Sequence, residues 1–251
     1  MNSLFSLKGA TALVTGSVAG LGHEIARGLA SAGAHVLVNG RHEGRVQAAV
    51  EAIRQTGGTA SPFVGDVCEA EVMARALADA PPIHILVNNA GMRDRRSLLD
   101  MEMGDFRQLV DGTLLAPVAL TQQVARAMVA RGHGGRIINI TSIAGPLSRA
   151  GDTAYTTAKG ALEAFTRALA ADLGPHGITV NAIAPGYFVT APNAAMANDA
   201  AVGDWLSRRT SLGRWGQPEE VAGAAVFLAS PSASYVTGHV LAVDGGYMAH
   251  F

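Results

Sequence analysis

Short runs of Val, Ile and Leu recur along the chain at 10–15, 35–39, 61–64, 83–88, 136–140, 178–183 and 239–243. Each is nearly continuously apolar, as a strand buried on both faces of a parallel sheet must be. Between the runs lie longer Ala-rich segments with charges on one face, at 20–32, 43–56, 69–79, 101–131, 153–173 and 217–229. These read as helices. Gly33 and Gly174 fall where a helix must stop before the next strand. The strand–helix alternation predicts one α/β domain over 1–251, an open, doubly wound sheet with helices on both faces. The segment at 188–212 breaks the alternation and reads as an insertion, either a packed element outside the core or a lid over a ligand.

The composition supports this picture and excludes others. At 251 residues with 49% apolar side chains, the chain can bury a core without disulfides or metals. A formal charge of −1 offers no surface for a polyanion, so no nucleic-acid partner is expected. The single Cys68 rules out an intrachain disulfide; it is expected to be an inert thiol in a buried strand-to-helix segment. The eight histidines lack metal-ligand spacing, so no metal is expected. The N-terminal stretch lacks the basic start and long apolar run of a signal peptide, and no run is long enough to span a bilayer. A reducing, cytoplasmic setting without membrane association is the expectation.

Two regions carry chemistry. The first strand runs into Thr15-Gly16-Ser17-Val18-Ala19-Gly20-Leu21-Gly22 and a helix follows at once. Glycines there permit a tight turn and close approach of a pyrophosphate to free N–H groups at the helix N-terminus. The spacing is not G-x-G-x-x-G, because Ile25 holds the last glycine position, and a tight turn without a ligand is the alternative. The second strand ends at Asn39-Gly40-Arg41, with no carboxylate for a ribose 2′-hydroxyl and an arginine placed for a 2′-phosphate. A solvated arginine is the alternative there. Asp66 and Asn88-Asn89-Ala90-Gly91 end the third and fourth strands, on the edge where open parallel sheets bind ligands, or serve only as turn residues.

Tyr155 and Lys159 stand at i and i+4 of an Ala-rich helix and share one face. An ammonium beside a phenol favours the phenolate, drawing the tyrosine down from about 10 and suiting it to proton exchange with a carbonyl or alcohol oxygen. Ser142, at the end of the fifth strand, is placed to hold the same oxygen.

The ordered set Thr15-Gly-x-x-x-Gly-x-Gly22, Asn88-Asn-Ala-Gly91, Ser142, Tyr155-x-x-x-Lys159 and Pro185-Gly186 resembles the short-chain dehydrogenase/reductase pattern, from about Leu7 onward. The resemblance implies a Rossmann-type sheet of about seven strands in a homo-oligomer, a dimer or tetramer. It implies an NAD(P)-dependent oxidoreductase in which Tyr155 is the acid/base, Ser142 orients the carbonyl, and Lys159 lowers the Tyr pKa and holds the nicotinamide ribose. The implied cofactor contacts are Gly16, Ser17, Gly20, Leu21, Gly22, Asp66, Val67, Asn88, Ala90, Gly91, Pro185, Gly186, Val189 and Thr190. Arg41 makes NADP the expected cofactor over NAD. One position departs from the family: an Asn usual in the long fourth helix is replaced by Thr113, whose hydroxyl is expected to hold a water.

After Pro185, the stretch Gly186-Tyr187-Phe188-x-Thr190-x-x-Asn193, with Trp205, Arg209-Thr210 and Arg214-Trp215-Gly216, resembles the gluconate 5-dehydrogenase branch. Arg93, Arg95, Arg96 and Arg149 fall near strand ends, and arginine suits a carboxylate; solvation, or pairing with Asp94, Asp100 and Asp152, is the alternative for each. Arg93, Arg149, Tyr187 and Trp205 are the substrate candidates, and a keto-sugar acid such as 5-ketogluconate the first expectation. A 3-oxoacyl thioester is the alternative within enzymes. Outside them stands a nucleotide-binding regulator on a weakened catalytic scaffold, an idea that Thr113 prompts and the intact Ser142, Tyr155 and Lys159 oppose.

Overall fold

The computed structural model describes residues 3–249. Its strands are β1 (Thr11–Val14), β2 (His35–Gly40), β3 (Thr59–Val64), β4 (Ile85–Asn88), β5 (Gly135–Ile140), β6 (Ile178–Pro185) and β7 (Val240–Val243). They form one parallel sheet in the order β3-β2-β1-β4-β5-β6-β7. The order reverses between β1 and β4, and ligands of open α/β sheets bind outside the strand ends at such a switch. The helices are α1 (Gly20–Ser31), α2 (Glu43–Gln55), α3 (Ala70–Ala78), α4 (Met103–Val110), α5 (Ala116–Arg131), α6 (Thr153–Leu173), α7 (Ala194–Ala197), α8 (Ala200–Arg209) and α9 (Ala222–Ala229).

Alternate strand residues feed two cores, which is why the strands read as unbroken apolar runs. Val14, Val36, Val38 and Ile138 pack with Ile25, Leu29 and Leu228 of α1 and α9. Leu13, Leu37, Leu86 and Ile137 face the other way, onto Met73, Leu120 and Met128 of α3 and α5. Gly28 lets α1 and α9 touch, since a β-carbon there would lie 2.7 Å from that of Ala222.

Two expected helices differ in the structure. The one expected over 101–131 is interrupted by a π-helical turn, Asp111–Leu115, between α4 and α5. Pro117 has no N–H to donate to the carbonyl of Thr113, so the α-helical ladder cannot run through. The one expected over 217–229 begins as a 3₁₀ turn, Pro218–Val221, before α9. There Arg214 grips both oxygens of Glu220 at 2.7 and 2.8 Å, and the same carboxylate accepts from the N–H of Gln217. The 188–212 segment is no loose loop: α7 and α8 fill it, Leu206 and Thr210 are buried, and Val189 N–H donates to Gly216 at 2.9 Å. Cys68 is exposed, against the expectation of burial. It follows Asp66, whose carboxylate accepts its N–H, and Asp66 adds to the desolvation that pushes the thiol up.

Candidate active site

Side chains at the carboxyl ends of the strands lock the nucleotide edge together. Asn39 ties three strands: its amide donates to the carbonyls of Phe63 and Gly65 at 3.0 Å and its oxygen accepts from Gly16 N–H. Thr15 Oγ1 accepts the N–H groups of Asn89 and Ala90, pinning the end of β4 to the glycine turn. Gly16 and Gly20 have φ near +60°, open to glycine at little cost. At Gly22 a β-carbon would lie 2.6 Å from Gly16 O, so the turn tolerates no side chain. The N-cap of α1, Ala19, contributes no side-chain hydrogen bond, leaving first-turn N–H groups for an anion. Gly40 carries no carboxylate, and a β-carbon there would lie 2.6 Å from Val18 Cγ1, so a side chain would require that valine to shift. Arg41 follows, largely exposed, 3.8 Å from Asp66. This cradle fits a dinucleotide and suits one with a 2′-phosphate.

Two residues expected at the cofactor turn their side chains inward. Ser17 Oγ donates to Val14 O at 2.7 Å and accepts from Asn39 N–H, so only its backbone faces the edge. Asn88 donates to Thr121 Oγ1 and Asn139 Oδ1, both at 2.8 Å, in a buried network that continues to Thr166. Its register opposite Asn139, on the sheet face covered by α5 and α6, explains this. Leu21, Val67, Ala90 and Gly91 lie along the edge beside these turns, and Pro185, Gly186, Val189 and Thr190 follow the end of β6. Gly186 packs against the backbone of Asp244, where a β-carbon would come within 2.7 Å.

Lys159 is buried, and its ammonium donates to Ile140 O at 2.6 Å. Burial draws it down to about 8. It lies 5.8 Å from the centre of the Tyr155 ring. Burial raises the Tyr155 phenol; the Arg93 charge and a hydrogen bond with Ser142 oppose the rise, while Asp152 adds to it. The expected cause is therefore corrected. With Lys159 turned to a carbonyl, the principal cation acting on the phenol is Arg93, whose guanidinium carbon lies 5.2 Å from the ring centre.

Thr113 is also placed differently from expectation. Fully buried in the π turn, its hydroxyl accepts from Met92 N–H at 3.0 Å and faces Met92 O at 3.4 Å. It latches the peptide before Arg93 rather than standing ready for a water. A β-carbon on Gly91 would meet both Lys159 Nζ and Thr113, at 3.6 and 3.7 Å, so the three positions adjoin.

A cleft beside Ser142 is lined by Arg93, Arg149, Asp152, Tyr187, Asn193 and Tyr247. Both arginines meet one Asp152 oxygen, Arg149 Nε at 2.9 Å and Arg93 Nη2 at 3.7 Å. Arg96 is held instead by Asp94 and Asp105. Arg95 donates to the Met196 sulfur of α7. Trp205 packs edge-on to Tyr187 at 5.6 Å and near Tyr247 at 6.0 Å. It supports the wall, and Tyr247 is the ring that lines the cleft with Tyr187. Sequence reasoning missed Asp152 and Tyr247 as cleft residues. The sequence offers Asp152 only as a pairing partner for the arginines, and at the start of α6 it makes no side-chain capping bond. Tyr247 follows β7 and reaches the cleft through packing that no local pattern signals. A larger hollow of about 320 Å³, near Ile83, Val124 and Arg131, opens before β4 begins, away from this chemistry. Among the described residues no group of His, Cys, Asp or Glu could hold a metal, and no helix is long and apolar enough to cross a membrane.

A family model described as enoyl-(acyl carrier protein) reductase matches residues 16–248. The chain belongs to the short-chain dehydrogenase/reductase family. It is 43% identical over 247 residues to a gluconate 5-dehydrogenase of Gluconobacter oxydans (strain 621H), covering 97% of this chain and 96% of the relative. It is 40% identical over 252 residues to a 5-keto-D-gluconate 5-reductase of Escherichia coli (strain K12), covering 99% of each. The solved structure of a gluconate 5-dehydrogenase from Burkholderia cenocepacia J2315, in complex with NADP and tartrate, is 42% identical. It superposes with a TM-score of 0.95 over 99% of both chains.

Proposed function

We propose that this short-chain dehydrogenase/reductase is an NADP(H)-preferring oxidoreductase that interconverts a keto-sugar acid and its secondary alcohol, with 5-ketogluconate the first candidate. The observation that carries this reading is the cleft itself: Ser142 lines it together with Arg93 and Arg149, and Tyr155 is hydrogen-bonded to Ser142 with the Arg93 guanidinium over its ring. The names of the relatives support the same substrate class. NADP(H), when bound, supplies or accepts the hydride. The glycine turn, the α1 N-terminus and Arg41 hold it in this account, aided by the backbone at Asp66, Ala90 and Gly91 and after Pro185.

The chain's own part is proton handling and orientation. Tyr155, which burial favours in its neutral form, donates its proton to the carbonyl oxygen in reduction and becomes the phenolate; in oxidation the phenolate takes the alcohol's proton. Ser142 holds that oxygen. Lys159 fixes the site between Ile140 and Gly91 and presents a cation behind the phenol. Arg93 and Arg149 hold the carboxylate, and Tyr187, backed by Trp205, forms the facing wall. Thr113 acts through Met92, keeping Arg93 in place.

We also propose a homo-oligomer working in the cytoplasm. Support comes from Leu98, Leu99, Met103 and Leu115, apolar side chains left exposed around α4, and from the lone thiol, which forms no disulfide within the chain. Likeness to the solved structure of a 3-oxoacyl-[acyl-carrier protein] reductase from Brucella melitensis, 32% identical with a TM-score of 0.92, keeps a 3-oxoacyl thioester as the second reading. The test is oxidation of NADPH and of NADH with 5-keto-D-gluconate, a 3-oxoacyl thioester and simple ketones. Fastest turnover with NADPH and the keto-sugar acid is expected. Faster turnover with the thioester, or with NADH, would overturn the corresponding assignment.

A further inference from the structure

Asp152 is an unusual wall for a cleft built to take an anion. Its side chain is 3% exposed, so it is all but removed from water. Oδ2 serves Arg149 and Arg93, while Oδ1 is buried with no hydrogen-bond partner. A buried carboxylate oxygen without a donor is costly, and such an oxygen beside a ligand cleft is satisfied when the ligand brings the donor. Two cations already share the cleft, which disfavours a third in the ligand, so the fitting donor is a neutral hydroxyl. The two guanidiniums exceed the one carboxylate by a single charge, which suits a ligand with one carboxylate of its own.

We infer that Asp152 is a specificity-determining residue: it accepts a hydrogen bond from a substrate hydroxyl near the reacting carbon and so selects hydroxylated keto acids over plain ones. The inference rests on the keto-sugar acid reading and adds a recognition element to it. A site built to bond a substrate hydroxyl rejects the analogue lacking it, because its own polar group is then left unpaired. Asp152 lies three residues before Tyr155, so the recognised hydroxyl sits close to the carbon that exchanges hydride.

The test compares two substrates of the same six-carbon length, each with a carboxylate and a ketone at the fifth carbon: 5-keto-D-gluconate and 5-oxohexanoate. Their kcat/KM ratio is measured with NADPH for the wild type, Asp152→Asn and Asp152→Ala. The shared carboxylate and the shared Tyr155 chemistry cancel in the ratio, as does any partial loss of folded protein. The expected result is a fall of about tenfold or more in the ratio for both variants. Calorimetric binding of D-gluconate against hexanoate to the NADP complex should show the same loss of preference. A ratio unchanged in the variants, with both substrates falling together, overturns the Asp152 assignment alone. A wild type with no preference for the hydroxylated acid overturns the sugar-acid reading, and the Asp152 assignment falls with it.

Discussion

Replacing Lys159 by Met should abolish turnover and yet make the cofactor-free protein more stable. The ammonium is buried and drawn down from 10.5 to about 8 by desolvation. At about 1.4 kcal/mol per unit, keeping the charge inside costs about 3 kcal/mol at pH 7. Against this stands one hydrogen bond, from Nζ to Ile140 O at 2.6 Å, whose loss costs about 1 kcal/mol. Methionine has a similar length and fills the space, so a net gain of about 2 kcal/mol follows. The sign has a pH signature. The folded value lies below the unfolded one, so the penalty is complete at neutral pH and is relieved as pH rises from about 8 towards 10.5. Urea unfolding of both proteins at pH 7, 8.5 and 10 measures this. The Met variant should lead at pH 7, and its lead should shrink with pH. A variant less stable at pH 7, or a gap indifferent to pH, would refute the reasoning and make Lys159 a structural residue.

Arg41→Ala should raise the KM for NADPH about tenfold or more with little change for NADH, since a charge-assisted fork to a 2′-phosphate is lost; steady-state kinetics with both cofactors decides. Arg93→Met should move the rising limb of the pH–rate profile for alcohol oxidation to higher pH, because Arg93 is the main charge lowering the Tyr155 phenol; a limb that stays or moves to lower pH contradicts that role. Thr113→Val should cost about 1–3 kcal/mol in unfolding, by leaving the Met92 peptide without its buried partner, and should slow turnover as Arg93 loosens; a variant with full activity would show that the latch is dispensable.

The sheet was legible because apolar runs and glycine stops report burial and helix ends directly, and β2 and α6 begin at the residues the pattern selects. The π turn was not legible as such. Its cause, Pro117, lies in the sequence, but an Ala-rich amphipathic stretch outweighs one proline in a periodicity reading. At the site, the chemistry carried by spacing along one helix, Tyr155 and Lys159, could be read. What depends on packing between distant segments could not: Asn88 turned towards Thr121, Ser17 bonded to Asn39, and Arg93 placed over Tyr155. Asp152 and Tyr247 reach the cleft through folds of chain that local pattern does not specify.

The central claim is that Tyr155 exchanges the proton for a hydride transfer that uses NADPH. Tyr155→Phe removes one hydroxyl from a half-buried ring, so NADPH binding, followed by cofactor fluorescence, should persist. Oxidation of NADPH with 5-keto-D-gluconate should fall by about a hundredfold or more, the scale of lost general acid catalysis. A Phe variant that binds NADPH and still turns over at a rate close to wild type would contradict the account.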